Sequence, residues 1–202
     1  EGLIELLGGD EKYTQKLDQL FSMSSDQEEG ASMDITGLIG QYAHGNEPSH
    51  HTTYMYAYSG RPYKIADKVR YITNKLYTDQ PDGLSGNEDC GQMSAWYMFS
   101  SIGFYPVNPS NGAYVFGSPL FDEVSINLPK KKVFKIIAEK NSDKNIYIQS
   151  ILLNGKKYRY SYITHDQIMN GGELRFKMGP KPNYDFGRNK KFRPASIVYW
   201  IY

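Results

Sequence analysis

Two hydrophobic periods divide the chain. Up to about residue 105, apolar positions recur at helical spacing; beyond it they alternate in short runs. "DEKYTQKLDQLFSM" places Tyr13, Leu17, Leu20 and Phe21 on one stripe, with Asp10 predicted as the N-cap. "DITGLIGQY" (34–42) is a short, glycine-interrupted stretch within this helical half. "PSHHTTYMYAYS" predicts a helix with Pro48 at its first position and Gly60 at its end. "PYKIADKVRYITNKLY" carries Ile65, Val69, Ile72 and Leu76 on one face and Lys and Arg on the other, the pattern of a half-buried helix. "CGQMSAWYMFSSIG" is apolar nearly all round, predicts a buried helix and stops at Gly103. An apolar, a half-polar and a second apolar helix in succession suit a toroid of inner and outer helices. The helices are too few to close such a ring, so the chain reads as a piece of a longer polypeptide.

Past Pro106–Pro109 the runs "AYVFG", "EVSINL", "KVFKIIAE", "NIYIQSILL", "KKYRYSYI", "ELRFKM" and "SIVYWIY" predict strands, with Asn154–Gly155 as a hairpin turn. The fold class expected is α+β: 1–105 as the end of an (α/α)6 helical barrel and 106–202 as a small antiparallel sheet or sandwich. "HDQIMNGG" within this half predicts a helical turn or loop, and Lys130–Lys132 a solvated turn.

Charge changes this picture little. The 202 residues carry 23 basic and 22 acidic side chains, a net charge of +1, so nothing in the overall balance favours nucleic acid or an anionic membrane. No apolar run is long enough to span a bilayer. One cysteine, Cys90, excludes an intrachain disulfide and a cysteine-rich metal site. The 18 tyrosines suit sugar binding as well as they suit cores and strands.

The chemistry concentrates in two polar loops. "GNE" occurs at Gly45–Asn46–Glu47 and again at Gly86–Asn87–Glu88, each directly before an apolar helix. If those helices are neighbours, both loops open at one end, where the positive helix termini favour ionised carboxylates. An acid held ionised serves as a general base or metal ligand rather than a proton donor. In the second loop the structural reading is that Asp89 caps the following helix and Glu88 is solvated. In the first, Asn46 and Glu47 offer hard oxygen donors suited to Ca²⁺. His44, His50 and His51 flank them; zinc needs histidines at ligating spacing, and adjacent His50 and His51 face different ways.

"HGNEPSHHTTYMY" (44–56), "PDGLSGNEDCGQMSAWYMFSSIGFYPVNP" (81–109) and "GSPLFDEVSINL" (117–128) closely resemble glycoside hydrolase family 92, calcium-dependent inverting exo-α-mannosidases, mostly bacterial. The start, "EGLIELLGG", resembles the same family, so the likeness runs from Glu1 to about Leu128. The resemblance implies an N-terminal β-sandwich followed by an (α/α)6 barrel, of which this chain is the C-terminal portion. It implies calcium at Asn46 and Glu47, Asp89 as general base with Glu88 as the fallback, and His44, His50 and Asn87 at the sugar. Asn87 stands where some members have a second aspartate. Members cleaving α-1,2 linkages tend to have His-Glu where this chain has His44–Gly45, which argues against simple α-1,2 specificity. The general acid is implied upstream of Glu1, so the chain is expected to be inactive alone. The implied substrate is an α-mannoside, mannan or N-glycan, and the implied partner is the rest of the same polypeptide. Location is not legible in the chain; the family implies export to the periplasm, surface or medium. The alternatives are a non-catalytic carbohydrate-binding β module, with tyrosines lining its sheet, and a purely structural fragment.

Overall fold

A computed structural model describes residues 1–26 and 35–195. The chain is α+β, helical first and strand-rich after, as its periodicity predicts. Helix α1 (Gly2–Leu6) leads into α2 (Asp10–Ser22), which buries Tyr13, Thr14 and Leu17. The N-cap of α2 is Gly9, not Asp10. The Asp10 carboxylate instead pairs with Arg193 at 2.9 Å, tying the first helices to the far end of the chain.

The 34–42 stretch is not helical where it is described. Leu38–Ile39 (β1) and Tyr42–Ala43 (β2) form a two-strand antiparallel hairpin. Glycines at both 37 and 40 adopt φ near +60°, which a helix does not accommodate. The helix expected from Pro48 to Gly60 is two tight 3-10 segments, Glu47–Ser49 and Thr52–Ala57. Local competition explains this. Ser49 Oγ donates to the carbonyls of Ala43 and Asn46, and the β-branched pair Thr52–Thr53 gains little from an α-helix. Helices α3 (Tyr63–Lys75) and α4 (Gln92–Ile102) stand where the pattern predicts them.

The first core gathers Tyr13 and Leu17 of α2, Tyr42, Tyr54, Tyr56, Ile65, Val69, Ile72 and Trp96. Its tyrosines are buried structure: Tyr54 stacks on Tyr105 with centroids 5.2 Å apart and donates to Ser100 Oγ at 2.8 Å. Strand β3 (Phe104–Asn108) follows Gly103 directly and was not among the expected strands, because its Pro106, with Pro109 just beyond it, read as a boundary.

β3 pairs with β4 (Ala113–Phe116), and β4 with β9 (Tyr162–Thr164), in a three-stranded antiparallel sheet. The second sheet has five strands in the order β5 (Glu123–Leu128), β6 (Lys132–Glu139), β10 (Gly172–Gly179), β7 (Tyr147–Leu153), β8 (Lys156–Tyr158). Its pairs are antiparallel except β6 with β10, which run parallel. The crossover between them contains β7, β8, β9 and the short helix α5 (His165–Met169), long enough for a parallel return. Asn154 and Gly155, with φ of 51° and 75°, make the β7–β8 turn. Thr164 and Gln167 form a capping box on α5, so "HDQIMNGG" is the helical turn expected. The two sheets share a second core of Phe104, Phe116, Phe134, Ile136, Ile151, Ile163, Leu174 and Phe176. The strand expected at 196–202 lies outside the described residues.

Arg70 joins the two halves. It is 7% exposed, and its guanidinium donates to Ser118 Oγ (2.9 Å), to the Pro119 carbonyl and to Asn141 Oδ1. Burial lowers its pKa, while Asp143 and Asp122 act in the opposite direction.

Candidate active site

The two "GNE" loops touch through backbone. A Cβ built on Gly86 would stand 2.4 Å from the Gly45 carbonyl oxygen and 2.7 Å from its Cα. A Cβ on Gly45 would meet Thr36 Oγ1 at 1.9 Å and the Ser85 carbonyl at 2.6 Å. Only glycine permits so close an approach at either position. The close partner of Gly86 is therefore the opposite loop's main chain. Thr36 Oγ1 and Ser85 Oγ are buried in this seam and make no hydrogen bond among the described residues.

Beneath the seam a hydrogen-bonded layer ties the first loop to α4. His50 Nε2 lies 3.0 Å from the His44 carbonyl, which can only accept, so Nε2 carries the proton. Nδ1 of His50 then accepts from Gln92 Nε2 (3.2 Å), which also reaches Tyr105 Oη (3.1 Å). Tyr77 Oη donates to the Met93 carbonyl (3.2 Å) and so accepts from His44 Nε2–H (2.7 Å), leaving His44 Nδ1 to accept from Tyr42 Oη (2.9 Å). Trp96 Nε1 donates to the His50 carbonyl at 3.1 Å. Both histidines are thus neutral Nε2–H tautomers with every ring nitrogen engaged. Their rings stack 4.8 Å apart, and they are 0% and 1% exposed. Burial first, and the neighbouring His50 second, pull the His44 pKa down to about 3. Burial likewise lowers that of His50, against the raising effects of the His44 carbonyl and Glu47.

Asn46 is exposed and Glu47 half-buried; neither side chain forms a hydrogen bond or ion pair with the described residues. In the second loop Glu88 accepts from the backbone N–H (3.2 Å) and Oγ–H (2.8 Å) of Ser94. It is therefore Glu88, not Asp89, whose carboxylate binds the first turn of α4, reversing the expected division of labour. Asp89 and Asn87 are exposed. Asp89, Cys90 and Gly91 all lie in the left-handed region, at φ of 46°, 57° and 93°. That conformation is costly for the two non-glycine residues, and such strain concentrates where side chains are presented for function. The Glu88 carbonyl stabilises the turn by accepting from Gly91 and Met93.

The structure thus carries Asn46, Glu47, Asn87, Glu88 and Asp89 on two touching loops, and buries His44 and His50 in the hydrogen-bonded layer that ties the first loop to α4. His51, adjacent to His50, is exposed and points elsewhere. Sequence reasoning missed the supporting groups Tyr42, Tyr77, Gln92, Trp96 and Tyr105, for which abundant tyrosine was the sole hint. Asn46 and Glu47 fit calcium in chemistry, as oxygen donors not engaged elsewhere, but they supply only part of its shell of about six to eight oxygens. Among the described residues no group of three or more His, Cys, Asp or Glu is arranged to hold a metal. The fully engaged nitrogens of His44 and His50 do not suit zinc.

Carboxylates and amides on two touching loops are the residue types that glycoside hydrolysis uses. Residues 1–180 match the sequence profile described as "Glycosyl hydrolase family 92 catalytic domain", and the chain belongs to glycoside hydrolase family 92. Among solved structures, it is similar to the family 92 α-mannosidase BT3965 from Bacteroides thetaiotaomicron in complex with mannoimidazole, with 44% identity and a TM-score of 0.88 over 94% of this chain and 25% of that one. It is also similar to the family 92 inverting mannosidase BT2199 from the same organism, with 40% identity and a TM-score of 0.83 over 96% of this chain and 28% of that one. A curated relative from Arthroderma benhamiae, "Uncharacterized secreted glycosidase", is 32% identical over 198 residues, which is 96% of this chain and 23% of the relative. The chain therefore spans about a quarter of the length of the relatives it matches. Among the described residues no helix is long and apolar enough to cross a membrane.

Proposed function

We propose that this chain is the base- and metal-bearing part of an exported, inverting exo-α-mannosidase. In this reading 1–105 is the helical portion of an (α/α)6-type catalytic barrel and 106–202 its β-rich completion. The observation that supports it best is the backbone contact of Gly45 with Gly86, which brings a candidate cation loop and a candidate base loop to one mouth.

Inversion needs one acid on the leaving oxygen and one base on a water at the opposite face of the ring, roughly 6.5–9.5 Å away. Asp89 is the base: it is exposed, held in a strained left-handed turn and not committed to a capping bond. Glu88, bonded twice to Ser94, holds the loop onto α4 and is the fallback base. Asn87, two residues before Asp89, is exposed to bind a sugar hydroxyl. His44 and His50, with no free ring nitrogen, act on the sugar indirectly, by fixing the loop that carries Asn46 and Glu47. A calcium ion held there by Asn46 and Glu47 would supply a Lewis-acidic contact for sugar hydroxyls. The general acid comes from polypeptide outside these residues, so the chain alone hydrolyses no α-mannoside. Gly45 in place of glutamate argues for a linkage other than simple α-1,2.

The test is Asp89→Asn in an enzyme that carries this chain. Turnover of an α-mannoside should fall by about 10²-fold or more, the scale of a lost general base, while mannose binding persists. Turnover within a few-fold of the unsubstituted enzyme would remove Asp89 from the mechanism.

A further inference from the structure

The β-rich half carries a second concave surface, remote in sequence from the "GNE" loops. A cleft of about 320 Å³ opens between the β7–β8 edge of the five-stranded sheet and the 183–192 segment. That volume is at the lower end of the about 300–1,000 Å³ usual for small-molecule sites. Its wall includes Lys157, Arg159, Gln149, Asn189, Phe192 and Asp185.

Charge is segregated here. Residues 156–159 hold three basic side chains, and 181–193 hold five basic and one acidic. Together they carry +7, against +1 for the whole chain, so the remaining residues carry −6. Of these cations, Lys190 pairs with Glu1 and Arg193 with Asp10. Lys157, Arg159, Arg188 and Lys191 form no ion pair among the described residues. Two of them converge on one ring: Arg159 Cζ lies 5.9 Å and Lys191 Nζ 6.0 Å from the Phe192 centroid. Tyr160 meets the same ring edge-on at 5.4 Å and fixes its attitude. In the cleft wall itself Lys157 and Arg159 stand against one carboxylate, Asp185, which leaves the wall net positive and favours an anionic ligand.

The remaining groups suit a sugar ring. Gln149 Nε2 is spent on the carbonyls of Tyr147 and Lys181, which leaves Oε1 to accept. Asn189 Oδ1 accepts from the Lys191 N–H, which leaves Nδ2 to donate. Asp185 accepts no hydrogen bond or ion pair through its carboxylate among the described residues and can take two sugar hydroxyls. Phe192 offers an apolar face. An extended polyanion would use the cations but not this confined set of amides, carboxylate and ring.

We propose that this cleft is an accessory site for an anionic saccharide, a sugar unit bearing a phosphate or carboxylate, with Lys157 and Arg159 holding the anion. Its lining shares no residue with the two "GNE" loops. Only the choice of mannose as a probe sugar rests on the mannosidase reading.

The experiment is calorimetric titration of the full-length protein carrying this chain with mannose 6-phosphate, glucose 6-phosphate, glucuronate, methyl α-mannoside and inorganic phosphate. The expected result is saturable binding of the charged sugars, weaker in high salt, with no binding of methyl α-mannoside at this cleft. Comparing the sugar phosphates with glucuronate tells which anion the cleft prefers. The Lys157→Ala/Arg159→Ala variant should raise the Kd for the charged sugar about tenfold or more. It should turn over an α-mannoside within about twofold of the parent's rate, so loss of this site is distinguishable from failure of the active-site reading. Three results would overturn the proposal: no saturable binding of any charged sugar, unchanged binding in the double variant, or inorganic phosphate binding as tightly as the sugar phosphates (an adventitious ion only). Preference for a DNA oligonucleotide over every charged sugar would also overturn it.

Discussion

Gly86→Ala is the sharpest perturbation of the loop seam. The new Cβ would stand 2.4 Å from the Gly45 carbonyl oxygen, where ordinary contact begins at 3.4 Å, so the loops must part by about 1 Å. The obstacle is main chain on both sides and cannot rotate away. Overpacking of this kind costs about 1–3 kcal/mol. The functional effect should be larger, because a displacement of about 1 Å between the proposed cation loop and the proposed base loop should reduce turnover by about 10²-fold. The assay is kcat and KM for an α-mannoside, with the thermal midpoint measured alongside, in an enzyme that carries this chain. Gly155→Ala is the control. Its φ is +75°, but a Cβ there meets nothing within 4 Å, so it pays backbone strain on a distant hairpin and should leave kcat unchanged. If Gly86→Ala keeps kcat within twofold and the midpoint unmoved, the loops do not touch and the convergence of Glu47 and Asp89 is lost with them.

Two further predictions probe the layer below and the loop above. Tyr77→Phe removes the acceptor for the His44 Nε2–H and the donor to the Met93 carbonyl, stranding buried polar groups. A loss of about 1–3 kcal/mol in denaturant unfolding is expected, and no loss would mean that Tyr77 does not hold these buried groups. Glu47→Gln keeps the shape of its side chain but withdraws the charge. Activity should then require at least about tenfold more calcium after chelation and add-back; an unchanged calcium requirement would place the ion elsewhere.

Much of the site was legible as chemistry before it was legible as geometry. The repeated "GNE", each ahead of an apolar run, picked out two loops that the structure brings into backbone contact. Which acid does what was not legible. Capping statistics assign Asp89 to the helix, yet Glu88 is the one that reaches Ser94, because three successive left-handed residues turn the chain before α4 begins. The expectation that His44 and His50 lie at the sugar gave no sign that their rings are buried with both nitrogens engaged. Their burial follows from Tyr42, Tyr77 and Trp96 closing around them, which no local pattern announces.

By itself, then, the order of residues determined the two periods, helices α3 and α4, most strands, the Asn154–Gly155 turn and the family. All of these depend on interactions among near neighbours or on long contiguous motifs. Tertiary structure alone decided the parallel pairing of β6 with β10, the neutral histidine layer, the segregated cationic cleft and the contact of Gly45 with Gly86. Each of those joins residues about 40 positions apart or lies on a surface assembled from separate segments, and the free energy that selects it belongs to packing rather than to any stretch of chain.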